Sequence, residues 1–225
     1  MLIICDLDGT LIDSAPRHLA VLNDLLRERE LPPADEEYLT FKREGRSTRD
    51  FLRERYPVTP EERERISREW AARIEEEAYL RLDKWMEKRC AVVETYRAAG
   101  CRVIVLSARQ NQEWIKRMVQ ARFPWLGPED LFIVSPMNAG EAKGQVLKSL
   151  GDRGPALLVG DTEADYESTR DTGVMPWMLN TGFRSRAYWN RRGIPSHEDL
   201  PAVEELRGGV LFSNADKPEK EISFP

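Results

Sequence analysis

The sequence has few residues that form cross-links or bind zinc, with three cysteines and two histidines among 225 residues. Cys5, Cys90 and Cys101 are odd in number and lack the spacing of a metal site, so neither a disulfide framework nor a structural zinc is expected. His18 and His197 are too few for a catalytic zinc. Free thiols are typical of a reducing compartment, so we expect a cytoplasmic protein.

Long apolar runs and a surplus of positive charge are also absent. No run of about 18 apolar residues occurs, and the apolar start at 1–5 meets two acidic residues at once, unlike a secretory signal. The 34 basic and 39 acidic residues give a net charge of −5. We therefore expect no membrane and no nucleic-acid partner. Hydrophobic residues make up 41% and charged residues 32%, which is typical of a folded globular chain.

Short apolar runs indicate the fold of most of the chain. Runs at 2–5, 101–106, 131–134 and 156–159 have the length of strands buried on both faces. Helical patterns at about 113–122, 141–150 and 164–172 separate or follow the later runs. This alternation predicts an α/β fold, with a Rossmann-like, doubly wound parallel sheet as its core. A last short strand is expected at 210–212.

One interval breaks this rhythm. Residues 16–83 contain no convincing strand, but amphipathic segments occur near 17–29, 36–43, 48–55 and 61–82. We predict an all-helical cap at 16–83, inserted into an α/β core made of 1–15 and 84–225. Because the insertion leaves after the first strand and returns before the second, it is expected over the carboxyl ends of the strands, where such sheets bind ligands.

The strongest chemical motif is DLDGTLIDSAP at 6–16. Asp6 and Asp8 follow a buried strand two positions apart, so both are expected to reach the ligand crevice. One carboxylate would serve as nucleophile and the other as general acid and base, while a divalent metal relieves their repulsion. Gly9 and Thr10 would let the chain turn sharply there, and Thr10 is a candidate for binding substrate. The alternative is an ordinary turn after a strand.

This segment resembles the first motif of the haloacid dehalogenase-like superfamily, in particular its phosphatase branch with a helical cap. In the dehalogenase branch the position of Asp8 is not an acid, so the resemblance implies phosphoryl transfer rather than carbon–halogen hydrolysis. The DSAP segment and the later GDTEAD segment look most like those of phosphoglycolate phosphatases and their relatives.

Two further motifs follow in the order that the family requires. Ser107 lies near the end of CRVIVLSAR. Its hydroxyl and the next backbone N–H groups suit a phosphate oxygen, which makes Ser107, Ala108 and Arg109 candidates for substrate binding. Lys143 near the start of a predicted helix would bind phosphate and stabilise developing charge. In relatives a proline often follows this lysine, but here Gly144 follows it, and Lys148 is a fallback. A helix-capping serine and a solvent-facing lysine are the plainer alternatives.

The segment LLVGDTEAD supplies the last pair of acids, Asp161 and Asp165. They are four residues apart and so share one side of a helical turn. With Asp6 and the backbone carbonyl of Asp8, they form an oxygen-rich set of candidate metal ligands. Such ligands suit Mg²⁺.

The resemblance implies a magnesium-dependent phosphatase in which Asp6 attacks phosphorus and Asp8 transfers protons, with Ser107 and Lys143 completing the catalytic set. The expected partner is a small phosphorylated metabolite, and the protein is expected to be a monomer or homodimer. In the cap, Gly45 lies between the basic residues Lys42 and Arg43 on one side and Arg46 on the other. Such a loop could reach an anionic leaving group, which makes Arg46 a candidate for substrate binding. The alternative is a turn between two helices with solvated charges. A phosphomutase of the same superfamily and a catalytically silent protein-binding module remain rival interpretations.

Overall fold

The computed structural model describes residues 1–150 and 154–207. In chain order its elements are β1 (Leu2–Cys5), β2 (Ile12–Asp13), α1 (Ala15–Arg27), α2 (Glu36–Arg43), α3 (Thr48–Arg55), α4 (Pro60–Arg73), α5 (Glu77–Leu80), β3 (Lys84–Trp85), α6 (Glu87–Ala98), β4 (Arg102–Ala108), α7 (Gln112–Arg122), β5 (Leu131–Val134), α8 (Ala139–Ser149), β6 (Ala156–Gly160), α9 (Glu163–Ser168), β7 (Met175–Leu179), α10 (Arg186–Arg191), β8 (Ser196–His197) and α11 (Val203–Arg207). The strand expected at 210–212 lies outside the described residues.

Six strands form one parallel sheet in the order β5-β4-β1-β6-β7-β8. The first strand lies near the centre, where Leu2 pairs with Arg102 of β4 and with Ala156 of β6. The four predicted strands are present, whereas β7 and β8 were not anticipated. The predicted α/β fold with a doubly wound parallel sheet is confirmed.

The side chains of successive residues in the central strands are buried on opposite faces of this sheet. Ile3 and Cys5 pack with residues of α6 and α7 on one face. Leu2 and Ile4 pack with Leu147 of α8 on the other face. The strands β1 and β6 are therefore apolar at every position, because helices cover both sides of the sheet.

Five helices, α1 to α5, lie between β2 and β3 and form a layer with its own apolar core. Large members of this core are Val21, Leu25, Tyr38, Phe51 and Ile66. The segments predicted at 36–43 and 48–55 are α2 and α3. The single helix expected at 61–82 is wrong, because α4 ends at Arg73 and α5 begins at Glu77.

Side-chain caps fix where several of these helices begin. Asp35 accepts a hydrogen bond from the backbone N–H of Glu37 at the start of α2. Ser47 and Asp50 form a reciprocal capping box at the start of α3. Such caps satisfy backbone donors that a helix leaves unpaired at its first turn.

The strands β2 and β3 join the helical layer to the sheet. They pair antiparallel, with Ile12 opposite Trp85, so the chain enters and leaves the helical layer at one place. Among the described helices, each is too short or too polar to cross a bilayer.

Candidate active site

The carboxyl ends of three neighbouring strands meet at one edge of the sheet. Asp6 directly follows β1, Ser107 lies near the end of β4, and Asp161 directly follows β6. Because β4, β1 and β6 are adjacent and parallel, their ends bring these side chains to one place. Lys143 and Asp165 reach the same place from positions near the N-terminal ends of α8 and α9.

Three buried carboxyl groups form the centre of this site. One oxygen from each of Asp6, Asp161 and Asp165 lies within 4.8 Å of the others. The Oδ1 atom of Asp161 is buried and has no hydrogen-bond partner among the described residues. Burial, and then the charges of Asp165 and Asp6, raise the pKa of Asp161 well above its usual range. A hard divalent cation such as Mg²⁺ fits this all-oxygen set, because it would satisfy the free oxygen and relieve the repulsion.

The loop after β1 makes room for Asp161. Gly9 has a φ of +72°, and a Cβ built there would lie 2.0 Å from Asp161 Oδ2. The backbone N–H of Phe183 donates a hydrogen bond to the same oxygen. Glycine at position 9 is therefore required both by its left-handed backbone and by the close approach of the carboxylate.

Lys143 joins two of the acids. Its Nζ donates to Asp6 Oδ1 and to Asp165 Oδ1, each at 2.6 Å. Burial would lower the pKa of Lys143, but Asp165 and Asp6 outweigh it and raise the pKa. An ammonium group has three donors, so one remains for a ligand. A Cβ at Gly144 would lie 3.3 Å from the carbonyl oxygen of Ser168, so glycine after Lys143 lets α8 pack closely on α9.

Asp6 is held in a partly neutralised environment. Burial raises its pKa to about 7, Lys143 opposes this rise, and the charges of Asp165 and Asp8 add to it. Asp6 therefore needs more positive charge nearby than Lys143 supplies if it is to be fully ionised at neutral pH.

Asp8 lies in a separate network of two arginines and two acids. Its carboxylate accepts from Arg109 Nε at 2.5 Å and from Arg17 Nη2 at 2.7 Å. Both guanidiniums also contact Asp83, each at 3.0 Å. Burial would raise the pKa of Asp8, but the charges of Arg109 and Arg17 hold it below its usual range. The carboxylate of Asp8 is thus not part of the acidic cluster, and only its backbone carbonyl remains a candidate metal ligand.

Sequence reasoning missed Arg17 and Asp83 and assigned Arg109 to the substrate. Arg109 is buried and already bonded to Asp8 and Asp83. Arg17 and Asp83 lie near the two ends of the helical insertion, about as far apart in sequence as the insertion is long. No local pattern in the sequence marks such a pair.

The remaining predicted substrate-binding residues are divided between the site and the surface. Ser107 and Thr10 are fully buried, and their hydroxyl oxygens have no partner among the described residues. Ala108 lines a cleft beside Asp8. Arg46 does not line that cleft, because its side chain forms an ion pair with Glu54.

The cleft has a volume of about 460 Å³ and lies between the sheet and the helical layer. The sheet side contributes Asp8, Ala108 and Arg109, and the helical layer contributes His18, Lys42 and Trp70. This volume suits a small ligand.

Known proteins resemble this chain chiefly in fold. A provisionally named phosphoglycolate phosphatase from Lactobacillus delbrueckii subsp. bulgaricus superposes with a TM-score of 0.64 at 20% identity, covering 93% of this chain and 98% of that one. A provisionally named phosphatase from Clostridium difficile gives a TM-score of 0.67 at 16% identity, covering 93% and 98%. A haloacid dehalogenase-like family hydrolase from Streptococcus pneumoniae gives 0.64 at 16% identity, covering 92% and 97%.

No protein of curated function is significantly similar to this chain in sequence. The sequence model of one hydrolase family, the haloacid dehalogenase-like hydrolases, matches residues 1–173, which is most of the chain. These residues contain β1 to β6 and every predicted catalytic and metal-ligand residue. The chain belongs to the haloacid dehalogenase-like hydrolase family.

Proposed function

We propose that this protein is a magnesium-dependent phosphatase that hydrolyses a small phosphate monoester through an aspartyl-phosphate on Asp6. One observation carries the proposal: the carboxylate of Asp6, which directly follows β1, lies beside two further buried carboxylates and a buried ammonium group. The phosphatase names of solved structures with the same fold agree with it. A cytoplasmic location and a monomeric or homodimeric state stay predictions.

In the proposed reaction a carboxylate oxygen of Asp6 attacks phosphorus and the P–O bond to the alcohol breaks, which gives an acyl phosphate on Asp6, while the departing oxygen takes up a proton. Water then loses a proton and attacks that phosphorus, the bond from phosphorus to Asp6 breaks, and phosphate and the Asp6 carboxylate are released. The third N–H of Lys143 and the free hydroxyl of Ser107 would hold phosphoryl oxygens during both steps. A magnesium ion on Asp6, Asp161 and Asp165 would supply further positive charge to the phosphoryl group.

Asp8 is the candidate for the proton transfers of both steps. Arg109 and Arg17 keep its carboxylate ionised, so the unprotonated form that a general base needs is present. The same two guanidiniums oppose its protonation, both by the attacking water and before donation to the leaving alcohol. The acid and base roles of Asp8 stay predictions.

The test combines turnover with trapping of the covalent site. We expect phosphate release from small phosphate monoesters with Mg²⁺, loss of release with a chelator, and recovery when Mg²⁺ is restored. With Mg²⁺ and beryllium fluoride, fluorine NMR should show a bound adduct in the wild type and none in Asp6→Asn. Turnover that ignores chelation, or an adduct that persists in Asp6→Asn, would contradict the proposal.

A further inference from the structure

Lys42 is a cation in the cleft without an acidic partner. It is the second-last residue of α2, and it forms no ion pair with any carboxylate of the described ranges 1–150 and 154–207. Its Nζ donates to the hydroxyl oxygen of Thr48 at 3.5 Å and lies over the rings of Trp70 and Tyr38, at 5.1 Å and 5.8 Å from the ring centres. A hydroxyl and two rings do not neutralise its charge.

The other cations that line the cleft are already paired. Arg17 and Arg109 contact Asp8 and Asp83, as described above. Arg184 forms an ion pair with Glu163 at 2.6 Å. Lys42 therefore differs from its neighbours in having its charge free for a ligand.

The environment of Lys42 makes a bound anion favourable. Burial, and then the charge of Arg184, lower the pKa of Lys42 to about 8. A half-buried ammonium without a counter-ion is costly, because it has lost water without gaining an ion pair. A negative group from a ligand would remove that cost.

We propose that Lys42 binds an anionic group on the leaving-group side of the substrate, so that the preferred esters have an alcohol part bearing a carboxylate or a second phosphate. The inference rests on the proposed phosphatase function and specifies its substrate class. Asp8 and Lys42 line the same cleft, so one small ligand reaches both. Trp70 and Ile74 supply apolar contact for the carbon atoms between the two charged ends.

The neighbouring basic residues of the helical layer do not fit this role. Arg43 donates to the backbone carbonyl of Asn180 at 3.0 Å, across the boundary with the sheet domain. Arg46 is paired with Glu54 and packs on the ring of Phe41. Of these three basic residues, Lys42 alone lines the cleft beside Asp8.

The test compares esters that differ in one group. Glycerol 3-phosphate has a neutral leaving group, 3-phosphoglycerate carries a carboxylate in place of the hydroxymethyl group, and glycerol 1,3-bisphosphate carries a second phosphate on that group. We expect the wild type with Mg²⁺ to favour at least one anionic ester over glycerol 3-phosphate by about 10- to 100-fold in kcat/KM, the range of a charge-assisted hydrogen bond.

Lys42→Met keeps the length of the side chain and removes its charge. It should abolish most of this preference, mainly through KM, and Lys42→Arg should restore part of it. Lys88→Met is the matched control, since it removes the same charge from an exposed position on α6 and should keep the preference within about twofold. Which anionic ester loses most in Lys42→Met identifies a carboxylate or a phosphate as the bound group.

The outcomes separate this inference from the function on which it rests. Phosphate release without preference for either anionic ester, or a preference that survives in Lys42→Met, would overturn the role of Lys42 and leave the phosphatase intact. No phosphate release from any of these or other phosphate esters would overturn both.

Discussion

Two aspartates of one short motif have opposite electrostatic environments. Asp6 shares one ammonium with Asp165, and burial raises its pKa to about 7. Asp8 faces two guanidiniums, which hold its pKa below the usual range. Carboxyl groups whose environments separate their pKa values commonly have different roles. Here that difference favours Asp6 as the group completed by a bound cation and Asp8 as the carboxylate that is ionised before the reaction begins.

At the scale of a single side chain, Asp6→Asn should lower phosphate release by roughly 1,000-fold or more, because an amide is a poor nucleophile and a weaker metal ligand. The thermal unfolding midpoint should stay near that of the wild type. Asp171→Asn makes the same chemical change at an exposed position with a φ of 55°, which asparagine adopts readily, and should leave turnover unchanged. Wild-type turnover in Asp6→Asn would exclude a covalent role.

The charge of Lys42 should also appear in the pH dependence of substrate preference. Its pKa of about 8 means that it is protonated below that pH and neutral above it. The other titratable groups near it are Arg184, whose charge lowers the pKa of Lys42, Tyr38, whose pKa burial raises, and His18, whose pKa burial lowers.

The kcat/KM ratio of 3-phosphoglycerate to glycerol 3-phosphate should therefore be constant at lower pH and fall as the pH rises through about 8. Taking the ratio cancels groups that act on the phosphoryl end alone. Lys42→Met should show a flat ratio between about pH 6 and pH 10. The same fall in Lys42→Met would assign the titration to another group.

At the scale of an element, the loop between β1 and β2 leaves the space that the Asp161 carboxylate occupies, and two glycines allow this role to be tested. Gly9 and Gly100 have φ values of +72° and +80°, but a Cβ at Gly100 meets nothing within 4 Å. Gly100→Ala should cost about 1 kcal/mol of unfolding free energy through backbone strain alone, and it should keep Mg²⁺ affinity. Gly9→Ala should cost more and weaken Mg²⁺ binding at least tenfold, because its Cβ displaces Asp161. Urea unfolding measures the free energy of unfolding, and calorimetric titration measures the Mg²⁺ affinity. Equal Mg²⁺ affinity in the two variants would contradict the role of this loop.

The central strands could be predicted from sequence because they are buried on both faces and therefore uniformly apolar. The strand β7 could not, since Pro176 lies within it and lacks a backbone N–H. The structure accommodates this proline because β8 pairs only with Met178 and Leu179, at the far end of β7. Pro176 thus needs no hydrogen-bond partner on that side of the sheet.

The break between α4 and α5 was invisible in the sequence for a different reason. Residues 74–76 are Ile, Glu and Glu, with neither proline nor glycine to interrupt a helix. In the structure the carboxylate of Glu75 accepts from the backbone N–H of Gln110 at 2.8 Å and of Asn111 at 2.7 Å. A contact with the sheet domain decides the conformation there, and no local pattern reports it.

For the whole molecule, the candidate site depends on how the helical layer lies against the sheet. Arg17 and Asp83 come from the two ends of the insertion and meet Arg109 from the sheet domain. Contacts of the same kind surround Lys42: its neighbour Arg43 donates to the backbone carbonyl of Asn180, and its own backbone carbonyl accepts from Arg184. The motifs predicted which residues of the sheet domain assemble, but the specificity cleft arises from contacts between distant segments.

The bond of Glu75 to the start of α7 offers a direct measure of this docking. Glu75→Ala removes the only side-chain acceptor that the described residues provide for the Gln110 and Asn111 amides, so hydrogen exchange at both should become at least about tenfold faster. The amide of Ile115 donates to the backbone carbonyl of Asn111 instead of to Glu75, so its exchange rate should not change. Glu76→Ala alters the exposed neighbouring residue and should leave the exchange rates of Gln110 and Asn111 unchanged.

Because the helical layer carries Lys42, Glu75→Ala should also raise KM for the anionic esters. Unchanged exchange at Gln110 and Asn111 would mean that the two layers are held together without this contact.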